Sequence, residues 1–340
     1  MGVQTLAEDI LKVSGLSVNY ESSQGTVHAL ESVSIAIESR SLIAVVGESG
    51  SGKSTLGLAV IGLLPSPPAK DITGKVEYKG VNLLELDKES IRSYRGTEIA
   101  MIFQEPITSL NPVYKVGTQI EEAIRIRDAR KTDTSKSENP RKNEAHERRD
   151  EVISSLKRVR IPDPENVADR YPFELSGGMR QRVMIAMALS QKPSLLIADE
   201  PTTALDVTTQ AEVLKLMRNL MNEVDTSILL ITHDLAVASQ VADRVAVMYG
   251  GQIVEEAEVN ELFSQPLHPY TNGLLSCIPT GSKKETRLKP ILGNVLDLRE
   301  TYAYCKFAPR CPFVKDKCWA SKPDLKPSKG EHLVACFLYE

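Results

Sequence analysis

The stretch GESGSGKST, Gly47 to Thr55, decides the fold. It fits G-x-x-x-x-G-K-[ST], with Gly47, Gly52, Lys53 and Ser54 in the required places. The glycines allow positive φ, so backbone N–H groups across Ser49, Gly50, Ser51, Gly52 and Thr55 can turn inward. With the positive end of a following helix they form an anion cradle. Lys53 is expected to reach the β- and γ-phosphates of a nucleotide, and the Ser54 hydroxyl to ligate Mg²⁺. Upstream, SLIAVVG (Ser41 to Gly47) is a continuous apolar run that predicts a strand buried on both faces. Downstream, LGLAVIGLL (Leu56 to Leu64) reads as a buried helix. Strand, Gly-rich loop and helix together separate a phosphate-binding loop from an ordinary Gly/Ser-rich surface loop, and they predict an α/β fold.

Working outward, Val33, Ile35 and Ile37 alternate with polar residues and predict a half-buried strand. KVEYKG and EIAMIFQ read as further strands. LLIADE (Leu195 to Glu200) and SILLITHD (Ser227 to Asp234) are buried-strand patterns ending in acid or His. Between them Val213, Leu216, Met217, Leu220 and Val224 recur at helical spacing. RVAVMYGGQIVEE reads as a hairpin around Gly250-Gly251. In an open α/β sheet ligands bind at the carboxyl ends of strands, where LLIADE places two carboxylates. Asp199 suits Mg²⁺, through water, and Glu200 suits a general base, the alternative being a solvated acidic pair. The charged stretch Arg125 to Asp150 has few large apolar residues and reads as a solvated helix or insertion.

Bulk properties narrow the function. At 41% hydrophobic and 25% charged, the 340 residues have the profile of a globular protein. A net charge of -4 lends no support to coating nucleic acid. Residues 1–20 lack the apolar core of a signal peptide, and no apolar run reaches about 18 residues, so neither export nor a membrane span is expected. Cys305, Cys311, Cys318 and Cys336 cluster near the C-terminus as C-x5-C-x6-C-x17-C. In a reducing compartment such a cluster points to metal rather than disulfides. The spacing is that of neither zinc ribbons nor ferredoxins; four soft thiolates suit zinc or an iron–sulfur cluster. Cys277 lies outside the set and reads as a small buried residue.

LSGGMRQR (Leu175 to Arg182) resembles the signature motif of ATP-binding cassette (ABC) ATPases, here in order with Gly47–Thr55 and Leu195–Glu200. The resemblance implies a P-loop NTPase with a RecA-like core, an antiparallel β subdomain and a helical subdomain at about 105–190. It implies a cassette over 1–257 and a C-terminal extension over 258–340 with the four cysteines as a small Cys-rich domain. It further implies that Gln104 senses Mg²⁺ and the attacking water, that His233 contacts the γ-phosphate, and that Tyr20 stacks on adenine. Asp206, in ALD (Ala204 to Asp206), resembles the D-loop. Ser176, Gly177 and Gly178 would close on ATP held by a second cassette, head to tail. EPITSLNPVYKVGTQI (Glu105 to Ile120) and ELFSQPLHPYTNGLLSCIP (Glu261 to Pro279) resemble segments of the peptide/nickel-type importer ATPases. That branch implies a peripheral protein on the cytoplasmic face of the membrane. Its implied partners are a second, non-identical cassette, two integral membrane permease subunits and, indirectly, an extracellular solute-binding protein, with no nucleic acid. It also implies a [4Fe–4S] cluster on the four cysteines, ahead of zinc or no metal. Peptides are the default solute, with nickel or sugars as variants; the other reading is a non-transport ABC ATPase on a nucleoprotein complex.

Overall fold

A computed structural model describes residues 8–104, 109–131, 142–203, 205–278 and 290–340. Glu105 to Thr108, Ala204, Pro279 and positions 132–141 of the charged stretch lie outside the described residues. The strands are β1 (Asp9–Ser22), β2 (Gly25–Glu38), β3 (Leu42–Val46), β4 (Ala69–Tyr78), β5 (Val81–Asn82), β6 (Ile99–Ile102), β7 (Leu195–Asp199), β8 (Ser227–Thr232), β9 (Arg244–Tyr249), β10 (Gln252–Glu258), β11 (Lys326–Lys329) and β12 (His332–Val334). The chain forms two compact units, Met1–Glu85 with Leu229–Glu340, and Leu86–Ile228.

In the first unit an antiparallel sheet runs β2-β1-β4-β5. Val33, Ile35 and Ile37 are buried on one face of β2, as their alternation predicts. A second sheet runs β11-β12-β10-β9-β3-β8. All five residues of β3 are buried, and β3 runs parallel to β9 from Ile43↔Arg244 to Val46↔Val247. Gly250 and Gly251, at φ 55° and 80°, turn β9 into β10 and pair Tyr249 with Gln252. Both central positions of such a tight turn need positive φ, which is why glycine stands at each.

The C-terminal stretch continues this sheet: β12 pairs with β10 at Glu255↔Val334. The boundary read at 257/258 therefore falls inside the first unit. Glu255 is fully buried and accepts from the backbone N–H groups of Leu267 (2.7 Å) and His268 (2.9 Å), with His332 Nε2 at 2.7 Å. These contacts offset the cost of burying a carboxylate. His268 is buried too; burial pushes its pKa down to about 3, so its Nδ1 accepts from the Tyr270 N–H as a neutral ring. Tyr249, Tyr270, Phe307 and His268 form one aromatic cluster, with Tyr249–Tyr270 centroids 4.7 Å apart.

In the second unit β6 runs parallel to β7, from Ile99↔Leu195 to Ile102↔Ala198. Helices Val116–Lys131, Lys142–Arg158, Gly177–Ser190 and Val207–Val224 accompany them. The last buries Val213, Leu216, Met217 and Leu220 at the predicted spacing.

Three expectations are corrected. The charged stretch is not simply solvated. Arg127 is 6% exposed, grips Glu151 with two hydrogen bonds (2.7 and 2.9 Å) and donates to the Ser190 carbonyl at 2.7 Å. A guanidinium can be buried when its donors are met by a carboxylate and a carbonyl, so charge content alone misleads here. Cys277 is exposed, because it lies just past the C-terminal end of helix Pro269–Ser276 rather than inside the core. The helix after the phosphate loop ends at Val60, short of the full apolar run, where Gly62 takes φ 67°.

Candidate nucleotide site

The first unit carries the phosphate loop. β3 delivers Gly47 so close to β9 that a Cβ there would lie 2.2 Å from the Met248 carbonyl oxygen. Gly52 sits at φ 102°, where a Cβ would lie 2.5 Å from the Ala29 carbonyl oxygen. The turn after β9 braces the loop from the other side, Gly251 N–H donating to the Ser51 carbonyl at 3.0 Å. Helix Lys53–Val60 starts inside the loop. Lys53 is buried and its Nζ donates to the Gly47 and Glu48 carbonyls at 2.8 and 2.9 Å. Ser51 Oγ is buried with no hydrogen-bond partner, a vacant polar position suited to a phosphate oxygen. Ser49, Gly50 and Ser54 face solvent, and Thr55 is half-buried. A braced loop with an ammonium inside it and exposed small residues over it fits a nucleotide polyphosphate and its Mg²⁺.

His233 follows β8 and is exposed, while the next residue, Asp234, caps helix Leu235–Val241 through the N–H groups of Ala236 and Val237. Tyr20 is half-buried near the end of β1, opposite Val27 on β2 and Ala69 on β4.

The second unit carries the other motifs. Asp199, the last residue of β7, is buried. Glu200 follows at φ 46°, a strained conformation for a non-glycine residue and one that clusters at functional sites. Its Oε2 accepts from Gln104 Nε2 at 2.9 Å and from Thr203 Oγ1 at 2.8 Å. Two residues read from separate motifs, Gln104 and Glu200, are thus in direct contact; Thr203 was not foreseen. Ser176 caps helix Gly177–Ser190, its Oγ accepting from the Met179 N–H at 3.3 Å. Gly178 packs on Thr209, where a Cβ would lie 3.1 Å from Cγ2. Asp206 caps helix Val207–Val224 through Thr209 N (3.0 Å) and Oγ1 (2.8 Å).

The stretch Glu105 to Ile120, which resembles a segment of the peptide/nickel-type importer ATPases, forms a shaped surface over its described residues in this unit. Gln119 ties down the turn before its helix, accepting from Asn111 N–H at 2.9 Å and donating to the Asn111 and Tyr114 carbonyls at 3.0 Å. The turn presents Val113 and Tyr114 to solvent, 71% and 55% exposed. Val116 N–H bonds the Arg170 carbonyl, next to the exposed Phe173, which stacks on Tyr171.

Cys305, Cys311, Cys318 and Cys336 lie in the first unit and form no disulfide. Cys318 Sγ accepts from Lys315 N–H and Cys311 Sγ from Phe313 N–H, both at 3.4 Å. Burial pushes the Cys336 thiol up to about 11, and the charges of Cys305, Cys311 and Cys318 add to the rise. The donor chemistry fits a soft metal, but among the described residues no three or more Cys, His, Asp or Glu are arranged to hold an ion.

A family model described as ABC transporter matches residues 30–203, just over half of the chain. The chain belongs to the ABC transporter family. A second model, the oligopeptide/dipeptide transporter C-terminal region, matches residues 254–318 and places it on the peptide branch. This ABC ATPase is 46% identical over 97% of its length to the oligopeptide transport ATP-binding protein AppD of Bacillus subtilis, of which 97% is covered. It is 43% identical over 98% of its length to the dipeptide transport ATP-binding protein DppD of the same organism, 96% covered. Among solved structures, the dimeric post-hydrolysis state of the ATP-binding cassette MJ0796 bound to ADP and Pi aligns at TM-score 0.61 and 26% identity, covering 73% of this chain and 98% of that one. The hydrolysis of ATP coupled to transport is the activity of this ABC family member. No helix among its described residues is long and apolar enough to cross a membrane.

Proposed function

We propose that this chain is an ATP-hydrolysing subunit of a membrane importer for peptides, docked on integral membrane subunits at the cytoplasmic face. The observation that carries the reading is the union in one chain of an ABC cassette and the oligopeptide/dipeptide C-terminal region. In this reading Lys53 and the loop N–H groups hold the phosphates, and Ser54 and Asp199 serve Mg²⁺, which supplies charge neutralisation when bound. Glu200 takes the proton of the attacking water, and Gln104, bonded to it, orients that water. His233 contacts the γ-phosphate and Tyr20 stacks on adenine. Ser176, Gly177, Gly178 and Asp206 meet the nucleotide of a second, non-identical cassette, and a solute-binding protein outside the membrane selects the cargo.

The ordered turn that exposes Val113 and Tyr114 supports docking on a membrane subunit, since exposed apolar residues on a rigid turn suit an interface. Affinity capture of the chain from detergent-solubilised membranes is expected to recover two integral membrane proteins. The double variant V113D/Y114D is expected to lose them and keep its ATP hydrolysis. Recovery of ribosomes or DNA in their place would overturn the transport reading.

We also infer a [4Fe–4S] cluster on Cys305, Cys311, Cys318 and Cys336. Support comes from the four soft donors gathered in one stretch and from peptide N–H groups that donate to the Cys311 and Cys318 sulfurs, contacts that favour thiolates, whereas burial and the cysteines' mutual charge oppose ionisation until a cation is bound. When bound, the cluster supplies a rigid cross-link among these segments. Protein purified without oxygen is expected to hold about four irons, with absorbance near 400 nm that bleaches in air. One zinc per chain, or no metal, would refute the cluster.

A further inference from the structure

We propose that Arg310 and Glu48 form a positioning pair for the phosphate loop, through which the cysteine-bearing C-terminal stretch sets the affinity for ATP. The proposal rests on the reading that Gly47–Thr55 binds ATP.

Glu48 is the second residue of that loop, and each of its polar groups is engaged. Its carbonyl accepts from Lys53 Nζ at 2.9 Å and from Ser51 N–H at 3.2 Å. Its N–H donates to the Tyr270 hydroxyl at 2.9 Å. Its carboxylate receives both arms of the Arg310 guanidinium, Nη1 at 2.8 Å and Nη2 at 3.0 Å. Tyr270 and Arg310 both belong to the C-terminal stretch, and Arg310 stands immediately before Cys311.

The arginine is itself fixed. Its side chain is only 4% exposed, its Nε donates to the Leu292 carbonyl at 3.1 Å, and its guanidinium lies 5.7 Å from the Tyr249 ring centroid. The bond to Glu48 is the main cause that raises the Arg310 pKa, so the guanidinium stays charged. A planar fork held on both sides delivers two parallel bonds with little entropy left to lose. Lys306, immediately after Cys305, makes a matching grip. It donates to the Gly250 carbonyl and pairs with Glu31 at 2.7 Å, while the neighbouring Gly251 N–H holds Ser51. The cations flanking two of the cysteines therefore brace the loop from two directions.

The chemistry explains why a carboxylate can stand in a loop built for phosphate. An unpaired carboxylate there would repel the nucleotide; paired with Arg310 it becomes a neutral anchor. The anchor also pre-orders a Gly/Ser-rich segment that would otherwise lose conformational entropy on binding.

The test is ATP affinity by calorimetric titration of the full chain, with the thermal midpoint as fold control. Arg310→Ala is expected to raise the ATP Kd about tenfold, because it frees the loop and exposes the Glu48 charge. Glu48→Gln alone is expected to cost about threefold. The pair E48Q/R310A is expected to match Glu48→Gln alone, since the uncompensated charge is gone. The Arg310→Ala loss is expected to shrink as salt rises from low to 0.5 M. Arg310→Lys, which keeps charge and loses the fork, should fall between and covers the case in which the alanine variant does not fold. An ATP Kd within twofold of wild type in Arg310→Ala, or strictly multiplicative losses in the double variant, would overturn the pair. Lys53→Ala separates the two readings: unchanged ATP affinity in that variant would overturn nucleotide binding by the loop itself.

Discussion

Glu200→Gln is expected to lower ATP turnover by about 10²–10⁴-fold while ATP binding persists. The change removes the basic carboxylate and little else. A Gln side chain keeps the length and can still accept from Thr203 Oγ1, so the strained backbone at Glu200 retains its support. Gln104 loses a charged acceptor, which costs a fraction of the effect. Phosphate release gives the rate, and nucleotide titration gives the affinity. Wild-type turnover in this variant would remove Glu200 from the base role. The slow variant also serves the dimer proposal: with hydrolysis suppressed, ATP should hold cassettes together, and adding Ser176→Arg should release them while leaving ATP binding in place. Equal loss of dimer and of ATP binding would make Ser176 a folding residue, consistent with its role as a helix cap alone.

Gly47→Ala is expected to destabilise the first unit by about 3 kcal/mol or more and to abolish ATP binding. The added methyl would lie 2.2 Å from the Met248 carbonyl oxygen and 2.9 Å from Ser51 Oγ. Ser51 can rotate away, but the Met248 carbonyl is backbone near the end of β9, among the buried residues Val245 to Tyr249, and cannot. β3 and β9 would have to part just past the Val46↔Val247 pair that ends their register, and the loop's brace at Gly251 would shift with them. Calorimetry is expected to place the midpoint lower by about 6–12 °C. A normal midpoint with normal ATP affinity would contradict the tight approach of these strands.

The parts legible in the sequence are those encoded by a few adjacent residues. The phosphate loop, LLIADE and the Gly250-Gly251 hairpin each carry their geometry in a local pattern of glycine or of continuous apolar residues, and each appears where it was read. What escaped depends on residues far apart in the chain. Nothing near Arg127 announces Glu151 and Ser190, whose contacts allow it to be buried. Nothing near Glu48 announces Arg310, 262 positions away. Cys277 was misjudged because thiol burial follows from where a helix ends, which composition does not record.

Lys53 has one more consequence. Its ammonium is inserted between the carbonyls of Gly47 and Glu48, and in the proposed reading it so holds open the cradle it would share with phosphate. The side chain acts as a tethered surrogate for the guest: nucleotide entry exchanges one set of hydrogen bonds for another instead of ordering a slack segment. A receptor of that kind would capture its ligand at a rate set by encounter, and its occupancy would follow the nucleotide pool from one moment to the next.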